Sequence, residues 1–411
     1  MQHDSSKTSR QSTRASAKSS AGAGFFILGL VVGWLCGTNI STFSSTLFPY
    51  EDSNSKTISQ QAETQPSLLR PPQANAVYQP ASTERDIMNM TDELGFNTRD
   101  NPLTCKIWND PKATTAAIHG SLTAYTKELA KYNEMIKKFE PVSSIMEKIK
   151  QGDEEEQSKI CDSLRLHPNG LEGIFPSLQL SFSSSGYVEP LLPPMRSHKI
   201  CQKDKRQLHL MSLDYLVHDF EFMCRQLKPT SKLILLDMGA ALDFRHVGGN
   251  NQPIVTLLRQ YEKFGFVFDH IYGFEIIEKD PKVVYETSLP EEYIASYHWI
   301  NVGASAEEGH KLNPLHSILK KFNEDDFVVV KLDIDTPAVE LPLFRQLLED
   351  KNGIYSKIID HFYFEHHHYL GELAPYWTSC SRANKCNETV AESLEMFSNL
   401  RKNGIPAHYW P

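Results

Sequence analysis

The chain has 411 residues, and its 42 Lys and Arg against 51 Asp and Glu give a formal net charge of −9. This balance argues against nucleic acid as a partner, because phosphate binding needs clustered Lys and Arg, and no basic stripe interleaved with aromatic residues is present. The length allows one large domain or two smaller ones, with appended segments.

The start of the chain predicts a membrane anchor. Residues 1–20 hold four basic residues and one acid, and residues 21–40 form an apolar run that can span a bilayer as a helix. The positive-inside rule makes 1–20 a cytosolic tail and places the rest in the Golgi or endoplasmic reticulum lumen, as in a single-pass type II membrane protein. A cleaved signal peptide and an organelle transit peptide are the alternatives. Gly29, Gly33 and Gly37 favour a dimer through one helix face, although glycine is also frequent in membrane helices generally.

Residues 41–100 are predicted to be a disordered stem, because their Ser-, Thr-, Gln- and Pro-rich composition cannot bury enough apolar surface. Six cysteines lie beyond the anchor, and an even number permits three disulfides in an oxidising lumen. They are Cys105, Cys161, Cys201, Cys224, Cys380 and Cys386. Cys380 and Cys386 are close enough in sequence to close one loop. Asn89 and Asn387 each begin a glycosylation acceptor triplet, in agreement with a lumenal glycoprotein.

Residues 101–205 are predicted to form a helical and loop-rich cap region. Apolar residues at helical spacing favour a helix over residues 117–150. Residues 167–196 follow as a long segment punctuated by Gly and Pro, and long ordered loops are often functional. This segment is expected to be either a lid over a ligand crevice or a tether packed on the core by its aromatic residues.

Residues 206–411 alternate between strand and helix patterns. Apolar strand patterns occupy 232–239, 270–277, 298–304, 327–330 and 358–367, with helical patterns between them and a last helix over 390–402. Repeated βα units with short connections predict a doubly wound, Rossmann-like and mostly parallel sheet. The expected fold class is therefore α/β, preceded by the cap region and the anchor.

Charged residues follow the fourth predicted strand directly. The apolar run 327–330 is typical of a strand buried on both faces, and Lys331, Asp333 and Asp335 come at its end. Ligands of open α/β sheets bind outside the carboxyl ends of the strands, so these residues predict a site. The alternative for Asp335 is a helix N-cap before Pro337.

Two earlier strands also end on candidate binding residues. Asp237 is followed by Gly239 and Ala240 after the first strand, and Glu275 ends the second strand. A glycine at such a turn lets the backbone approach a ligand closely. Glu275 stands where doubly wound nucleotide-binding folds place the acid that binds ribose hydroxyls.

These segments resemble S-adenosylmethionine-dependent methyltransferases, most closely the FkbM type. The likeness rests on LLDMGA, YGFEII, WINVGASAEEG, VVVKLDIDTPAVE and HFYFEHH, and it covers about 180 residues from Lys232 to the C-terminus. It implies S-adenosylmethionine as cofactor, bound by Asp237, Gly239, Ala240, Glu275 and Asp333, with Lys331, Asp333 and Glu365 near the acceptor. The chain departs from the family where Asp243 and Ala241 replace the usual Gly and Asn, and where Asp335-Thr336 replaces Glu-Gly.

Three histidines, His366, His367 and His368, follow Glu365. Imidazole and carboxylate ligands suit Zn, Mn or Fe, so a divalent metal on Asp333, Asp335 and His366 is one interpretation. A general base is another, with His366 acting beside Asp333, Glu365 and Lys331 as catalytic residues. In the third, the histidines only hydrogen-bond to nearby loops.

Taken together, the sequence predicts a membrane-anchored lumenal methyltransferase-like enzyme that methylates an oxygen of a glycan or small metabolite. The alternative enzyme is a Golgi glycosyltransferase, in which Asp333-Ile334-Asp335 binds the metal of a sugar nucleotide. A further alternative is a methyltransferase-like domain that only binds a partner, which Asp243 in the cofactor loop would permit.

Overall fold

The computed structural model describes most of the second half of the chain and parts of the first. The described residues are 78–98, 104–177, 180–192, 199–202, 209–240, 252–368, 370, 386 and 388–411. The predicted anchor at 21–40, the Gly29/Gly33/Gly37 face, Asp243 and Cys380 lie outside them. None of the helices that the structure describes is both long and apolar enough to cross a membrane.

A six-stranded parallel sheet forms the centre of the described structure, which confirms an α/β fold. Its strands are β3 (Leu233–Met238), β4 (His270–Phe274), β5 (Tyr297–Ile300), β6 (Phe327–Leu332), β7 (Ile359–Phe364) and β8 (Ala407–Tyr409). The order across the sheet is β5-β4-β3-β6-β7-β8, and every neighbouring pair is parallel. A separate antiparallel hairpin joins β1 (Ser181–Ser183) and β2 (Gly186–Val188).

Helices flank these strands along the described chain. Before the sheet they are Ser82–Asn89, Lys106–Asn109, Ala116–Lys138, Ile145–Gln151, Glu154–Asp162 and Phe220–Gln226. Between and after its strands they are Pro253–Lys263, Pro281–Val283, Pro314–Ser317, Pro337–Leu348, Ile354–Ile358 and Val390–Lys402. Short 3₁₀ or π turns lie at Leu171–Gly173, Val284–Ser288, Glu291–Tyr293 and Leu319–Lys321.

Two predicted features of the first half differ from the structure. The helix expected over 117–150 is interrupted near Pro141, since proline disfavours a helical conformation at the residue before it and lacks the N–H needed in a helix interior. A new helix starts after Ser144, whose hydroxyl accepts a hydrogen bond from the Glu147 N–H. Residues 78–98, expected as the end of a disordered stem, are ordered, and Ile87 and Phe96 are buried in the core.

Strands β3, β6 and β7 are buried along their whole length, which explains their nearly continuous apolar sequences. β3 and β6 are direct neighbours, and their register pairs Asp237 with Lys331. From β3 the chain adds strands toward β5, and from β6 it adds them toward β8. The carboxyl ends of β3 and β6 therefore flank the point where the order reverses.

One disulfide and a buried charge cluster join the cap region to the sheet domain, and a second disulfide lies within the cap region. Cys161 is bonded to Cys224, in the helix that precedes β3, and Cys105 is bonded to Cys201. Cys386 is also in a disulfide.

The charge cluster consists of Glu189, Arg401 and His408, all buried. The Glu189 carboxylate lies 2.8 Å from His408 Nδ1 and 3.2 Å from an Arg401 nitrogen. Arg401 also donates to the Glu189 carbonyl at 2.8 Å.

Candidate functional site

A cavity of about 440 Å³ lies at the carboxyl edge of the sheet. We call it the carboxyl-edge cavity. The residues that line it follow β3, β4, β5 and β6: Gly239, Phe274, Glu275, Ile276, Ile277, Lys279, Val302, Gly303, Ala304, Asp333, Ile334, Asp335, Thr336 and Val339. Its volume is in the range of small-molecule sites. Its place is the one where ligands bind in open parallel sheets.

Lys331 connects the ends of β3 and β6. Its ammonium donates to Asp237 Oδ1 at 2.9 Å and to the Gly239 carbonyl at 3.1 Å, and it lies 3.2 Å from Asp333 Oδ2. Burial acts to lower the pKa of Lys331, but the carboxylates of Asp237 and Asp333 outweigh it and hold that pKa above its usual value. Lys331 is therefore a fixed cation that positions Asp333, which lines the cavity.

Trp410 completes the surroundings of Asp333. It follows β8, its indole Nε1 donates to Asp333 Oδ2 at 3.1 Å, and its ring lies 5.7 Å from the Lys331 ammonium. Asp333 is thus held by one cation and one neutral donor, and its side chain remains about one-fifth exposed.

Gly239 and Ala240 form a tight turn after β3. The N–H groups of both residues donate to the Phe274 carbonyl, at 3.0 and 2.9 Å. Gly239 has φ +90°, and a Cβ there would overlap the Asp333 carbonyl oxygen. The glycine is needed because the ends of β3 and β6 pass so closely. Gly239 lines the cavity, whereas Ala240 is fully buried.

Glu275 lies in the turn that follows β4. Its Oε1 accepts a hydrogen bond from the Ile277 N–H at 2.7 Å, and Asn301 donates to the carbonyls of Glu275 and Ile277 at 2.8 Å each. Beside this ordered carboxylate, Ile276 and Ile277 are 71% and 65% exposed and line the cavity. The turn therefore combines one carboxylate with an apolar wall.

A second group of side chains, the Asp335–Glu365–His367 triad, lies at the same edge. Each residue contributes one ligand-type atom, and these atoms all lie within 4.8 Å of one another. His367 Nε2 is 3.0 Å from Glu365 Oε2 and 3.7 Å from Asp335 Oδ1. Asp335 adopts a left-handed φ of 59° and does not cap the following helix, whose N-cap is Thr336.

Carboxyl groups are crowded behind Asp333. Burial raises the pKa of Glu365 to about 8, opposed by its hydrogen bond to His367 and reinforced by Asp333. Glu340 is also buried; it accepts a 2.7 Å hydrogen bond from the Ile334 N–H, and burial raises its pKa to about 7. Like charges in a dry place disfavour ionisation, so these carboxyl groups hold protons near neutral pH unless a cation is present.

The structure places His366 and His368 differently from the predicted metal site. His366 is buried, its Nδ1 lies 2.8 Å from Ser393 Oγ, and its ring stacks on Phe364. Burial lowers the pKa of His366 to about 3. His368 donates from Nδ1 to the His366 carbonyl at 2.7 Å. The histidine that joins the carboxylates is His367, because side chains still alternate beyond β7: His367 lies on the same side as Glu365, whereas His366 packs between Phe364 and His368 on the other side.

Sequence reasoning missed Trp410, Glu340 and the role of His367. Glu340 lies one helical turn into Pro337–Leu348 and points back to the strand end, a contact that only the fold creates. Trp410 follows a three-residue strand whose partner is 45 residues earlier in sequence (Phe362 with Ala407). No local pattern marks either residue as part of a site.

Comparisons with known proteins add no further identification. No family model, no curated protein and no solved structure matches this chain. The resemblance to FkbM-type methyltransferases accordingly stays a prediction.

Proposed function

We propose that the protein is a lumenal, membrane-anchored methyltransferase-like enzyme that binds S-adenosylmethionine in the carboxyl-edge cavity and methylates a hydroxyl of a glycan or small metabolite. The position of the cavity supports this. Counted from the first strand of the sheet, the strand order is 3-2-1-4-5-6. This is the order of doubly wound nucleotide-binding folds, which bind their ligand where the order reverses.

The charge of the cavity is the observation that carries the proposal. Its lining contains three carboxylates (Glu275, Asp333 and Asp335) and one ammonium (Lys279), a formal excess of two negative charges. S-adenosylmethionine carries a cationic sulfonium, which such a lining attracts. The diphosphate of a sugar nucleotide is anionic and would be repelled unless a metal ion intervened.

The residues around the cavity suit the parts of an adenosyl ligand. The Glu275 carboxylate has one oxygen occupied by the Ile277 N–H, and its second oxygen would accept from ribose hydroxyls. The exposed side chains of Ile276 and Ile277 would cover a face of the adenine ring, and this contact would remove their apolar surface from water.

Asp333 is the proposed proton acceptor. When bound, the cofactor supplies a methyl group whose C–S bond breaks as a C–O bond to the acceptor forms. The hydroxyl proton would pass to the Asp333 carboxylate, which borders the cavity and has Glu365 behind it. Lys331 stays charged and holds Asp333 in place, so most of the chain's contribution is positioning.

One observation favours the glycosyltransferase as second candidate. Both carboxylates of Asp333-Ile334-Asp335 border the cavity, and Asp335 also belongs to the triad with metal-ligand geometry. A metal bound there would neutralise a nucleotide diphosphate. This function requires the metal, and the first candidate does not.

Calorimetric titration of the full-length protein in detergent separates the two functions. We expect saturable binding of S-adenosylhomocysteine, weakened at least about tenfold by Glu275→Ala, since hydrogen bonds to a charged group contribute about 1.5–3 kcal/mol. Glu278→Ala is the matched control, because Glu278 is exposed and does not line the cavity. UDP binding only with Mn²⁺ present, without adenosylhomocysteine binding, would refute the methyltransferase and support the glycosyltransferase.

A further inference from the structure

We propose that Asp335, Glu365 and His367 bind one divalent transition-metal ion beside the carboxyl-edge cavity. This ligand set differs from the one that the sequence predicted, since His367 replaces His366 and Glu365 replaces Asp333. The proposal does not depend on the identity of the cofactor, because it concerns the metal alone.

The two distances from His367 to its partners in the triad are near those of ligands around one ion. Carboxylate and imidazole atoms bind Zn²⁺ or similar ions at about 2.0–2.2 Å, so two ligand atoms on one ion lie about 3–3.5 Å apart. In the structure, His367 Nε2 lies 3.0 Å from Glu365 Oε2 and 3.7 Å from Asp335 Oδ1. The exposed Asp335 side chain would rotate toward the ion to close this geometry.

The chemistry of the donors points to a class of metal. One imidazole with two carboxylates suits Mn²⁺, Fe²⁺ or Zn²⁺, whereas Ca²⁺ and Mg²⁺ prefer sites built from oxygen alone. Glu365 and His367 are buried, and Asp335 is exposed at the cavity. Two ligands are therefore held rigidly, and the third leaves the ion accessible from the cavity side.

The crowding of carboxyl groups also favours a cation at this place. Asp333, Asp335 and Glu365 lie at one edge of the sheet, and the ammonium of Lys331 is already bound by Asp237 and Asp333. The alternative to a metal is a protonated His367 that bridges Glu365 and Asp335 as an ion pair. A metal-binding experiment distinguishes the two arrangements.

The position of the site suggests its role. Asp335 belongs both to the triad and to the cavity lining. A metal held there would present its open coordination positions toward a ligand in the cavity. It would take an oxygen donor, such as a hydroxyl of the acceptor.

The test is titration of the metal-stripped full-length protein with Mn²⁺. Binding is measured as the loss of the electron paramagnetic resonance signal of free Mn²⁺. We expect one saturable site per chain, weakened at least tenfold by Asp335→Asn. Asparagine keeps the shape and tolerates the left-handed backbone of this position. Glu349→Gln, which removes an exposed carboxylate outside the triad, should bind Mn²⁺ as the natural protein does.

A second measurement identifies the imidazole. Pulsed resonance on the Mn²⁺ complex should show coupling to a ring nitrogen, and His367→Gln should remove it. Unsaturable binding, or equal binding by Asp335→Asn, would overturn the metal site and leave the ion-pair arrangement. Nitrogen coupling that persists in His367→Gln would assign the metal to another histidine. Adenosylhomocysteine titration is performed separately without metal, so failure of the cofactor proposal is recognised independently.

Discussion

Replacing Lys331 by Met should destabilise the protein strongly. The ammonium lies 2.9 Å from Asp237 and 3.2 Å from Asp333, and the side chains of Lys331 and Asp237 are each only 4% exposed. Over about 3 Å at an effective dielectric constant near 20, each attraction is about 5 kcal/mol before dehydration is subtracted. Removing one partner of a buried pair typically costs about 3–5 kcal/mol, because the other charge is left uncompensated. We expect a loss of that size.

The loss should depend on pH in a defined direction. Without Lys331, burial raises the pKa of Asp237 further above its unfolded value, so ionisation of Asp237 opposes folding. A carboxyl group whose pKa is higher in the folded protein than in the unfolded chain stabilises the fold at pH values below its pKa in the unfolded chain. That contribution is lost as the pH rises through its pKa in the folded protein. The deficit of Lys331→Met should therefore be smaller near pH 5 than near pH 7.5.

Urea unfolding, monitored by tryptophan fluorescence, measures both the loss of stability and its dependence on pH. The double variant Lys331→Met/Asp237→Asn also removes the uncompensated charge of Asp237. It should recover at least about 1 kcal/mol of the lost free energy of unfolding. Lys228→Met is the control, because the Lys228–Asp325 pair is exposed and should contribute less than about 1 kcal/mol. A double variant no more stable than the single one, together with a deficit independent of pH, would refute the charge argument.

Three further predictions concern backbone, pH and disulfides. Gly239→Ala should cost more than about 3 kcal/mol in the free energy of unfolding, because its Cβ meets backbone, whereas Gly309→Ala, with φ +78° but open space, should cost about 1–2 kcal/mol. Burial raises the pKa of Asp219 to about 6, so its contribution to stability is present below its unfolded pKa and is lost as pH rises through 6. Asp219→Asn should therefore gain about 2 kcal/mol relative to the natural protein between pH 4 and 7.5, and parallel unfolding curves would contradict this. Cys161→Ser should cost about 4 kcal/mol through the loop of 63 residues closed with Cys224, and peptide mapping without reduction should find that pair in the natural protein.

The parallel sheet was predictable because its strands carry local signals. Buried central strands give nearly continuous apolar runs; β3 and β7 lie inside their predicted ranges, and β6 starts as predicted and extends two residues beyond 327–330. β8 was not predicted, since three residues give no period and the strand exists only through its pairing with β7. Pro141 does indicate the break in the helix predicted over 117–150, but the apolar spacing continues across it and favours one uninterrupted helix.

The site was predictable where residues follow directly from strand ends. Asp237, Lys331 and Asp333 meet because parallel strands of known order bring their carboxyl ends together. The sequence offered His366 as the metal-binding histidine, whereas the histidine beside the carboxylates is His367, which lies on the same side of the chain as Glu365. Which of the two sides faces the carboxylates depends on the neighbouring loops and helices, and residue spacing does not encode it.

The Glu189–Arg401 contact has a consequence for how the molecule folds. It joins positions 212 residues apart, and five of the six strands of the parallel sheet, β3 to β7, lie between them in sequence. Closing so long a loop is entropically costly, and contacts of this range slow folding. Until its contact with Arg401 forms during folding, the Glu189 carboxyl group has to remain hydrated or protonated. The last helix and edge strand therefore cannot detach without exposing an ion pair, and we expect them to unfold together with the core.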